Sequence, residues 1–435
     1  MPDHSNLLSK SQADFNLADW LDYIEALHPK DIEMGLQRVT QVGQRLNLKL
    51  TFPIITVAGT NGKGSTCAML EHIYHAAAYR VGTYSSPHFL RYSERVRVAC
   101  EEISDTDLIA AFQVVEKARE DIQLTYFEFG TLAAMWHFSQ ANLDVLILEV
   151  GLGGRLDAVN VFNPSCAIVT SVDLDHMEFL GNTRESIGAE KAGIFRSDVP
   201  AICGDLDPPK SLIEYAEYIG ADLRFIDRDF KFKRQQNSWM YQGKKSELQT
   251  LPLPALKGDF QLQNAACVLT AIETLQDKLP VTSEAIKQGL RSVKLRGRFQ
   301  TIAHHPEVIL DVAHNPHAAK SLSGNLQQTA IEGKTMAVFA MLADKDIASV
   351  IQALSQQIDV WYIAEIDHLR AASVDQIKSL FKQYLPEAKI TTFKTITEAY
   401  HRACIDANEN DRILALGSFF TVAEVMRASQ DNIQQ

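Results

Sequence analysis

The sequence predicts an α/β protein of two domains, a phosphate-loop domain with a doubly wound parallel sheet over residues 1–296 and a smaller α/β domain over residues 297–435. Three observations carry that prediction. Short apolar runs such as Asp144-Val-Leu-Ile-Leu-Glu-Val alternate with segments of helical spacing, as strands covered on both faces by crossover helices do. A glycine-rich turn, Gly59 to Gly64, joins an apolar run that starts at Ile54 to a helix. The strand–helix rhythm restarts after Arg296-Gly-Arg-Phe, where the boundary is placed.

Taken in order, residues 1–14 are polar. Leu17 to Leu46 has helical periodicity, broken at His28-Pro29-Lys30-Asp31 because proline disfavours helix in the residue before it. That break reads either as a plain helix–helix turn or as a loop over the glycine-rich turn. Ile54-Ile-Thr-Val-Ala predicts a strand and Ser65 to Tyr74 a helix. Val81-Gly-Thr-Tyr predicts a short strand that runs into Ser85-Ser-Pro-His. Arg91-Tyr-Ser-Glu-Arg-Val-Arg-Val is charged and alternating. Helices are expected over Ser104–Glu120, with Ser104 and Asp105 as caps, over Phe127–Gln140 and over Glu185–Phe195. Further strands are expected at 144–150, 167–172 and 201–204. Phe230 to Leu253 alternates polar and apolar residues around Asn237-Ser238 and Gln242-Gly243, which predicts small hairpins on the domain edge. Helices over Leu262–Gln276 and Ser283–Ser292 close the first domain. The second domain, about 140 residues, reads as Rossmann-like. Its strands are expected at 308–312, 336–342, 360–364, 389–393 and 412–417, and its helices at 317–329, 347–356, 374–385 and 397–408. It lacks a phosphate loop of its own, so its expected role is to complete a site with the first domain.

Apolar content of 46% and charged content of 22% are those of a globular protein. The formal net charge of −12 argues against a nucleic-acid or anionic-membrane binder. Six scattered cysteines without C-x-x-C pairing read as reduced thiols in a cytoplasmic protein. Met-Pro-Asp-His-Ser-Asn lacks the basic and apolar regions of a signal peptide, and no apolar run reaches the ~18 residues that span a bilayer.

The chemistry centres on Ile54 to Thr66. A strand, a turn through Gly59, Gly62 and Gly64 and a helix N-terminus aim unpaired backbone N–H groups at one spot, and Lys63 adds a full charge. The spacing departs from G-x-x-x-x-G-K-[ST]: Val57 and Gly64 stand where that pattern has glycine and hydroxyl, and the hydroxyls come at Ser65 and Thr66. The competing reading is an ordinary turn with an exposed lysine. Glu149 ends an apolar strand before Val-Gly-Leu-Gly-Gly, the usual place for a magnesium ligand; a helix-capping carboxylate is the alternative. Asp173, Asp175, His176 and Glu178 crowd the next strand end and suit metal or phosphate chemistry, unless they are a plain surface loop. Spacing alone makes Lys191 a solvated helix lysine. Asp311 suits ribose hydroxyls, His314 and Asn315 suit base or phosphate contacts, and Arg298 suits a phosphate. A simple turn on Asn315-Pro316 stays open.

Gly59-Thr-Asn-Gly-Lys-Gly-Ser-Thr, Ser85-Ser-Pro-His, Phe127-Glu-Phe-Gly-Thr, Glu149-Val-Gly-Leu-Gly-Gly-Arg-Leu-Asp, Asp173-Leu-Asp-His-Met, Glu190-Lys-Ala-Gly-Ile and Asp311-Val-Ala-His-Asn-Pro run co-linearly along the chain. Together they resemble the folylpolyglutamate synthase / dihydrofolate synthase family of the Mur ligase superfamily, from Leu17 to Phe419. The resemblance implies a Mur-ligase-like central domain and a ligase α/β domain. It implies an ATP-dependent ligase that adds L-glutamate to dihydropteroate and to tetrahydrofolate through an acyl phosphate, with ATP between the domains. It implies ATP contacts at Thr60, Asn61, Gly62, Lys63, Gly64, Ser65, Asn264, Arg298, Asp311 and His314. It implies two Mg²⁺ sites on Ser86, Glu149 and His176, with a monovalent cation as a further candidate. Lys191 matches a carbamylated lysine, and Lys63, Lys191 and His176 are the implied catalytic residues. Asp31, Thr125, Phe127, Glu128, Leu156, Asp157 and Ala158 match positions that contact the pterin. Partners are expected to be small molecules, without nucleic acid or membrane, and the chain is expected to be a monomer. The other readings are a monofunctional folylpolyglutamate synthase, a ligase for a UDP-muramoyl peptide and a non-catalytic nucleotide switch. About fifty residues precede Ile54, which leaves no separate UDP-binding domain. A switch has no need for Asp311 and Arg298.

Overall fold

The structure, a computed structural model, describes residues 11–30 and 32–431. It divides into two compact units: one runs to Leu253 and resumes over Leu262–Val293, and the other comprises Pro254–Gln261 and the chain from Lys294 onward.

The first unit is built on an eight-stranded sheet. Its strands are β1 (Ile54–Ala58), β2 (Val81–Tyr84), β3 (Val96–Val98), β4 (Glu101–Glu102), β5 (Val145–Glu149), β6 (Cys166–Val169), β7 (Pro200–Cys203) and β8 (Asp222–Phe225), in the spatial order β4-β3-β2-β5-β1-β6-β7-β8. From β2 to β8 the neighbours are parallel, and the runs of β1, β2, β5 and β6 are wholly buried, as strands covered on both faces are. Strand β3 adds antiparallel to β2 and β4 antiparallel to β3, so the alternating stretch after Arg91 leads into an edge hairpin. The chain leaves β1 for β2 on one side and later returns to β6 on the other. That switch point opens a crevice at the carboxyl end of β1, where the glycine-rich turn lies.

The expected hairpins after Phe230 form a small antiparallel sheet of β9 (Lys231–Arg234), β10 (Ser238–Gln242) and β11 (Glu247–Pro252). It is anchored by buried Trp239, whose indole N–H donates to Pro252 O at 2.9 Å, and by Tyr241, which shares a 3.0 Å hydrogen bond with Thr270. Helices Leu17–Ala26 and Gln37–Leu46 are separated by a longer break than proline alone predicts. Within it Glu33 gathers His28 Nε2 (2.8 Å), Lys30 (3.2 Å) and Arg38 (3.2 Å), which ties these four residues together.

The second unit holds a six-stranded sheet of β12 (Gln300–His304), β13 (Glu307–Leu310), β14 (Thr335–Phe339), β15 (Val360–Ile363), β16 (Lys389–Thr392) and β17 (Arg412–Leu416), ordered β12-β13-β17-β14-β15-β16. All pairs are parallel except the β12–β13 hairpin, which the strand–helix rhythm did not predict. Phe339, Trp361 and Phe381 make edge-to-face contacts in its core. A final helix, Phe419–Asp431, was also absent from the sequence reading.

Candidate active site

The phosphate loop starts where β1 ends. Gly62 has φ +87° and precedes helix Lys63–Ala76, and a Cβ on it would come within 2.5 Å of Asn264 Oδ1. Glycine is therefore required twice over, by backbone angle and by the closeness of Asn264. The loop is strapped to the end of β6. Thr60 N–H donates to Ser171 O (2.8 Å), the Thr60 hydroxyl donates to Asp173 O (3.0 Å), and the Thr170 hydroxyl donates to Asn61 O (2.6 Å). Lys63 Nζ folds back onto Gly59 O (2.8 Å) and Thr60 O (3.3 Å). Ser65 and Thr66 are buried in the first turn of the helix, and among the described residues the Thr66 hydroxyl has no hydrogen-bond partner.

Glu149 is the last residue of β5, opposite Val57 of β1 in the parallel register, and is 5% exposed. Ser86 N–H donates to its Oε2 at 3.2 Å, so the structure brings these two candidate metal residues together. His176 lies in the loop after β6. It is exposed, adopts φ +50° before the short helix Met177–Leu180, and its Nε2 is 4.0 Å from Asp175 Oδ2. No group of three His, Cys, Asp or Glu side chains among the described residues could hold a metal by itself. Hard oxygen donors and a phosphate loop do suit magnesium, which keeps few protein ligands and shares the rest with phosphate and water.

Lys191 overturns the spacing-based reading. It is 4% exposed, on helix Arg184–Ala192, because that helix packs onto the turn after β5. Arg155 N–H donates to Glu190 O at 2.7 Å, and a Cβ on Gly154 would sit 3.1 Å from Lys191 Cα. Burial foremost, and then the nearby Lys63 charge, lower the Lys191 amine from 10.5 to about 7, against the opposing charges of Asp175, Asp157 and Glu190. Burial likewise lifts the Asp157 carboxyl to about 6, against hydrogen bonds from Leu152 N–H (2.7 Å) and Val159 N–H (3.0 Å). Asp157 thus shapes the loop that also carries half-buried Leu156 and buried Ala158.

Thr125 and Glu128 form a capping box for helix Tyr126–Gln140. The Glu128 carboxylate also takes Arg38 Nη2 at 2.9 Å and Nε at 3.1 Å, which ties the loop around Glu33 to this helix. Phe127 packs against Gly151, where a Cβ would lie 2.7 Å from its ring. On the same side, Met34 approaches Gly153, so the loop after the first helix reaches the turn after β5. Asp31, the loop's own candidate, lies outside the described residues.

In the second unit, Asp311 follows β13 and accepts from Phe299 N–H and Ala313 N–H, each at 2.8 Å; burial raises its pKa, and Arg298 opposes the rise. Arg298 lies 5.2 Å over the Phe419 ring, and His314 sits 6.3 Å from the same ring. Asn315 caps helix Pro316–Gln328 by accepting from Ala318 N–H at 2.9 Å, which is the turn alternative.

Sequence reasoning missed Arg38 and Arg97. Arg97 pairs with Glu71 of the phosphate-loop helix at 2.9 Å and donates to Ser85 Oγ at 3.2 Å. Alternation after Arg91 was its only sequence signal.

A phosphate loop at the switch point of a parallel sheet, with a buried strand-end carboxylate beside it, defines an ATP-dependent ligase of the Mur type. The Mur ligase middle domain matches residues 57–272, and the Mur ligase glutamate ligase domain matches residues 297–419. The dihydrofolate synthase/folylpolyglutamate synthase of Escherichia coli K12 is 46% identical over 416 residues, covering 95% of this chain and 96% of that one. A solved structure of E. coli FolC with DHPP and ADP has a TM-score of 0.92 at 45% identity, covering 98% of this chain and 100% of that one. Another, a bifunctional folylpolyglutamate synthase/dihydrofolate synthase with Mn, AMPPNP and L-glutamate bound, has a TM-score of 0.89 at 48% identity, covering 97% of this chain and 99% of that one. The chain belongs to the dihydrofolate synthase/folylpolyglutamate synthase family.

Proposed function

We propose that this chain uses ATP to join L-glutamate to dihydropteroate, making dihydrofolate, and to the γ-carboxylate of tetrahydrofolate, extending polyglutamates. The observation that carries the reading is buried Glu149 on the strand beside the phosphate loop, with Lys191 buried within electrostatic reach of Lys63. The ADP, DHPP, AMPPNP, Mn and L-glutamate bound to the two related structures support it.

Thr60, Asn61, Gly62, Lys63, Gly64 and Ser65 hold the ATP phosphates, with Asn264 behind Gly62. Arg298, Asp311 and His314 are the nucleotide contacts of the second unit. Ser86, Glu149 and His176 would hold magnesium at two sites, with a monovalent cation as a third candidate; bound magnesium neutralises phosphate charge. The acid's carboxylate oxygen attacks the γ-phosphorus, the bond to the β–γ bridging oxygen breaks, and ADP leaves an acyl phosphate behind. The neutral amine of L-glutamate attacks the acyl carbon, phosphate departs with the bonding pair, and the amine's proton passes to solvent. Lys63 offsets the charge that builds on the phosphates, and the loop's N–H groups position them. A Lys191 amine near pKa 7 has enough neutral form to add to CO₂, giving a carbamate and releasing one proton to solvent. Thr125, Phe127, Glu128, Leu156, Asp157, Ala158 and Asp31 surround the pterin. Thr125, Glu128 and Asp157 act there through the backbone they fix. The protein works as a cytoplasmic monomer; no described helix is long and apolar enough to cross a membrane.

The test is ADP release by purified protein with Mg²⁺ and L-glutamate, supplied with dihydropteroate or with tetrahydrofolate. Turnover with both supports the proposal. Turnover with tetrahydrofolate alone reduces it to a folylpolyglutamate synthase. Silence with both, from protein that binds ATP, removes the folate assignment.

A further inference from the structure

Arg95 ends a short helical turn, Tyr92–Arg95, just before β3. Its carbonyl accepts from Ser85 N–H at 2.9 Å, so it sits beside the Ser85-Ser86 loop whose next N–H reaches Glu149. Its guanidinium carbon is 5.1 Å from the Tyr92 ring centroid and 5.6 Å from that of Tyr126. Nε donates to His88 Nδ1 at 2.8 Å, which fixes the orientation of the planar group. The Tyr84 hydroxyl is close enough for the Arg95 charge to oppose the rise that burial gives its pKa.

This cation is half-buried, yet among the described residues it makes no ion pair. Its neighbours differ: Arg91 pairs with Glu102 at 2.8 Å, and Arg97 with Glu71 at 2.9 Å. Aromatic rings around a guanidinium reduce its hydration and leave edge N–H groups whose fork matches a carboxylate. Tyr126 is the first residue of the capped helix Tyr126–Gln140, its ring lies 5.6 Å from that of Tyr92, and the next residue, Phe127, lies 5.9 Å from the Tyr84 ring.

We propose that Arg95 binds the α-carboxylate of the folate's terminal glutamate and so serves polyglutamate extension in particular. The inference rests on the folate reading above. Tetrahydrofolate offers an α-carboxylate next to the γ-carboxylate that reacts. Dihydropteroate has a single carboxylate, the one that is activated, and gives Arg95 nothing to hold.

The experiment compares kcat/KM for tetrahydrofolate with kcat/KM for dihydropteroate in wild type, Arg95→Gln and Arg95→Lys. The expected result is a fall of roughly tenfold or more in the tetrahydrofolate-to-dihydropteroate ratio for Arg95→Gln, through KM, with Arg95→Lys intermediate. Wild type given the α-amide of tetrahydrofolate should show the same rise in KM, a reading that stands if Arg95→Gln fails to fold. A ratio that stays within about twofold, whether both activities persist or fall together, would overturn the assignment and leave Arg95 a packing residue. Wild type inactive with both acids would instead sink the folate reading, and this inference with it.

Discussion

Ser86 N–H donates to Glu149 Oε2 across 3.2 Å, joining the loop after β2 to the end of β5. The parallel register puts Glu149 opposite Val57, two residues before the phosphate loop begins. One carboxylate thus holds the loop after β2 from a strand end beside the strand that leads into the phosphate loop. Glu149→Gln keeps the volume and one acceptor but removes the charge. Turnover should fall roughly a hundredfold or more at saturating ATP, while the melting temperature holds. A variant with wild-type ADP release would remove Glu149 from the site.

Lys63→Ala should also cost orders of magnitude in turnover, since no other loop side chain carries a positive charge. Circular dichroism should match wild type, and single-turnover ADP formation should be slow even when ATP binding is saturated.

Gly62→Ala places a Cβ against Asn264 Oδ1 at a backbone angle of +87°. The expected cost is about 1–3 kcal/mol of stability, together with weaker ATP binding, since the loop must shift to relieve the contact. Urea unfolding and nucleotide titration read the two effects separately. Unchanged affinity would mean that Asn264 yields instead.

Lys191 gives a pH signature. Its folded pKa of about 7 lies below the ordinary 10.5, so between those values the unfolded chain holds a proton that the folded chain lacks. Stability therefore gains from this group as pH rises through that window, and its burial costs most below about pH 7. Lys191→Met should lose that dependence, so its stability advantage over wild type shrinks from pH 7 to 9 in urea midpoints. CO₂ depletion should lower wild-type activity and bicarbonate should restore it, with a carbamate carbon resonance in the folded protein given ¹³C-bicarbonate that is absent from Lys191→Met. Activity indifferent to CO₂ would exclude the carbamate.

Arg97→Ala leaves Glu71, with its side chain 2% exposed, without its cation. The expected loss is about 3 kcal/mol, because an unpaired buried carboxylate retains its desolvation penalty. Arg97→Met combined with Glu71→Leu should recover most of it. A double variant as unstable as the single one would show that packing, not charge, dominates there.

The sequence by itself determined the α/β class, the phosphate loop and the strand-end position of Glu149. Each is written in local features: apolar runs of strand length, glycines where the backbone must turn, and a carboxylate closing an apolar strand. It also carried enough co-linear motifs to indicate the family. Tertiary structure decided what depends on residues distant in the chain. Lys191 has the spacing of a surface lysine, and only the packing of its helix on the Gly153-Gly154 turn buries it. Arg38 meets Glu128, Arg97 meets Glu71, and Arg95 enters its tyrosine box through sheet order and helix docking, which no periodicity records. Asn315 shows the converse: a short polar residue before proline suited both a ligand and a helix cap, and the folded backbone placed its side chain on Ala318 N–H. Burial and charge pairing are properties of the folded arrangement, so the functional reading of these side chains had to come from it.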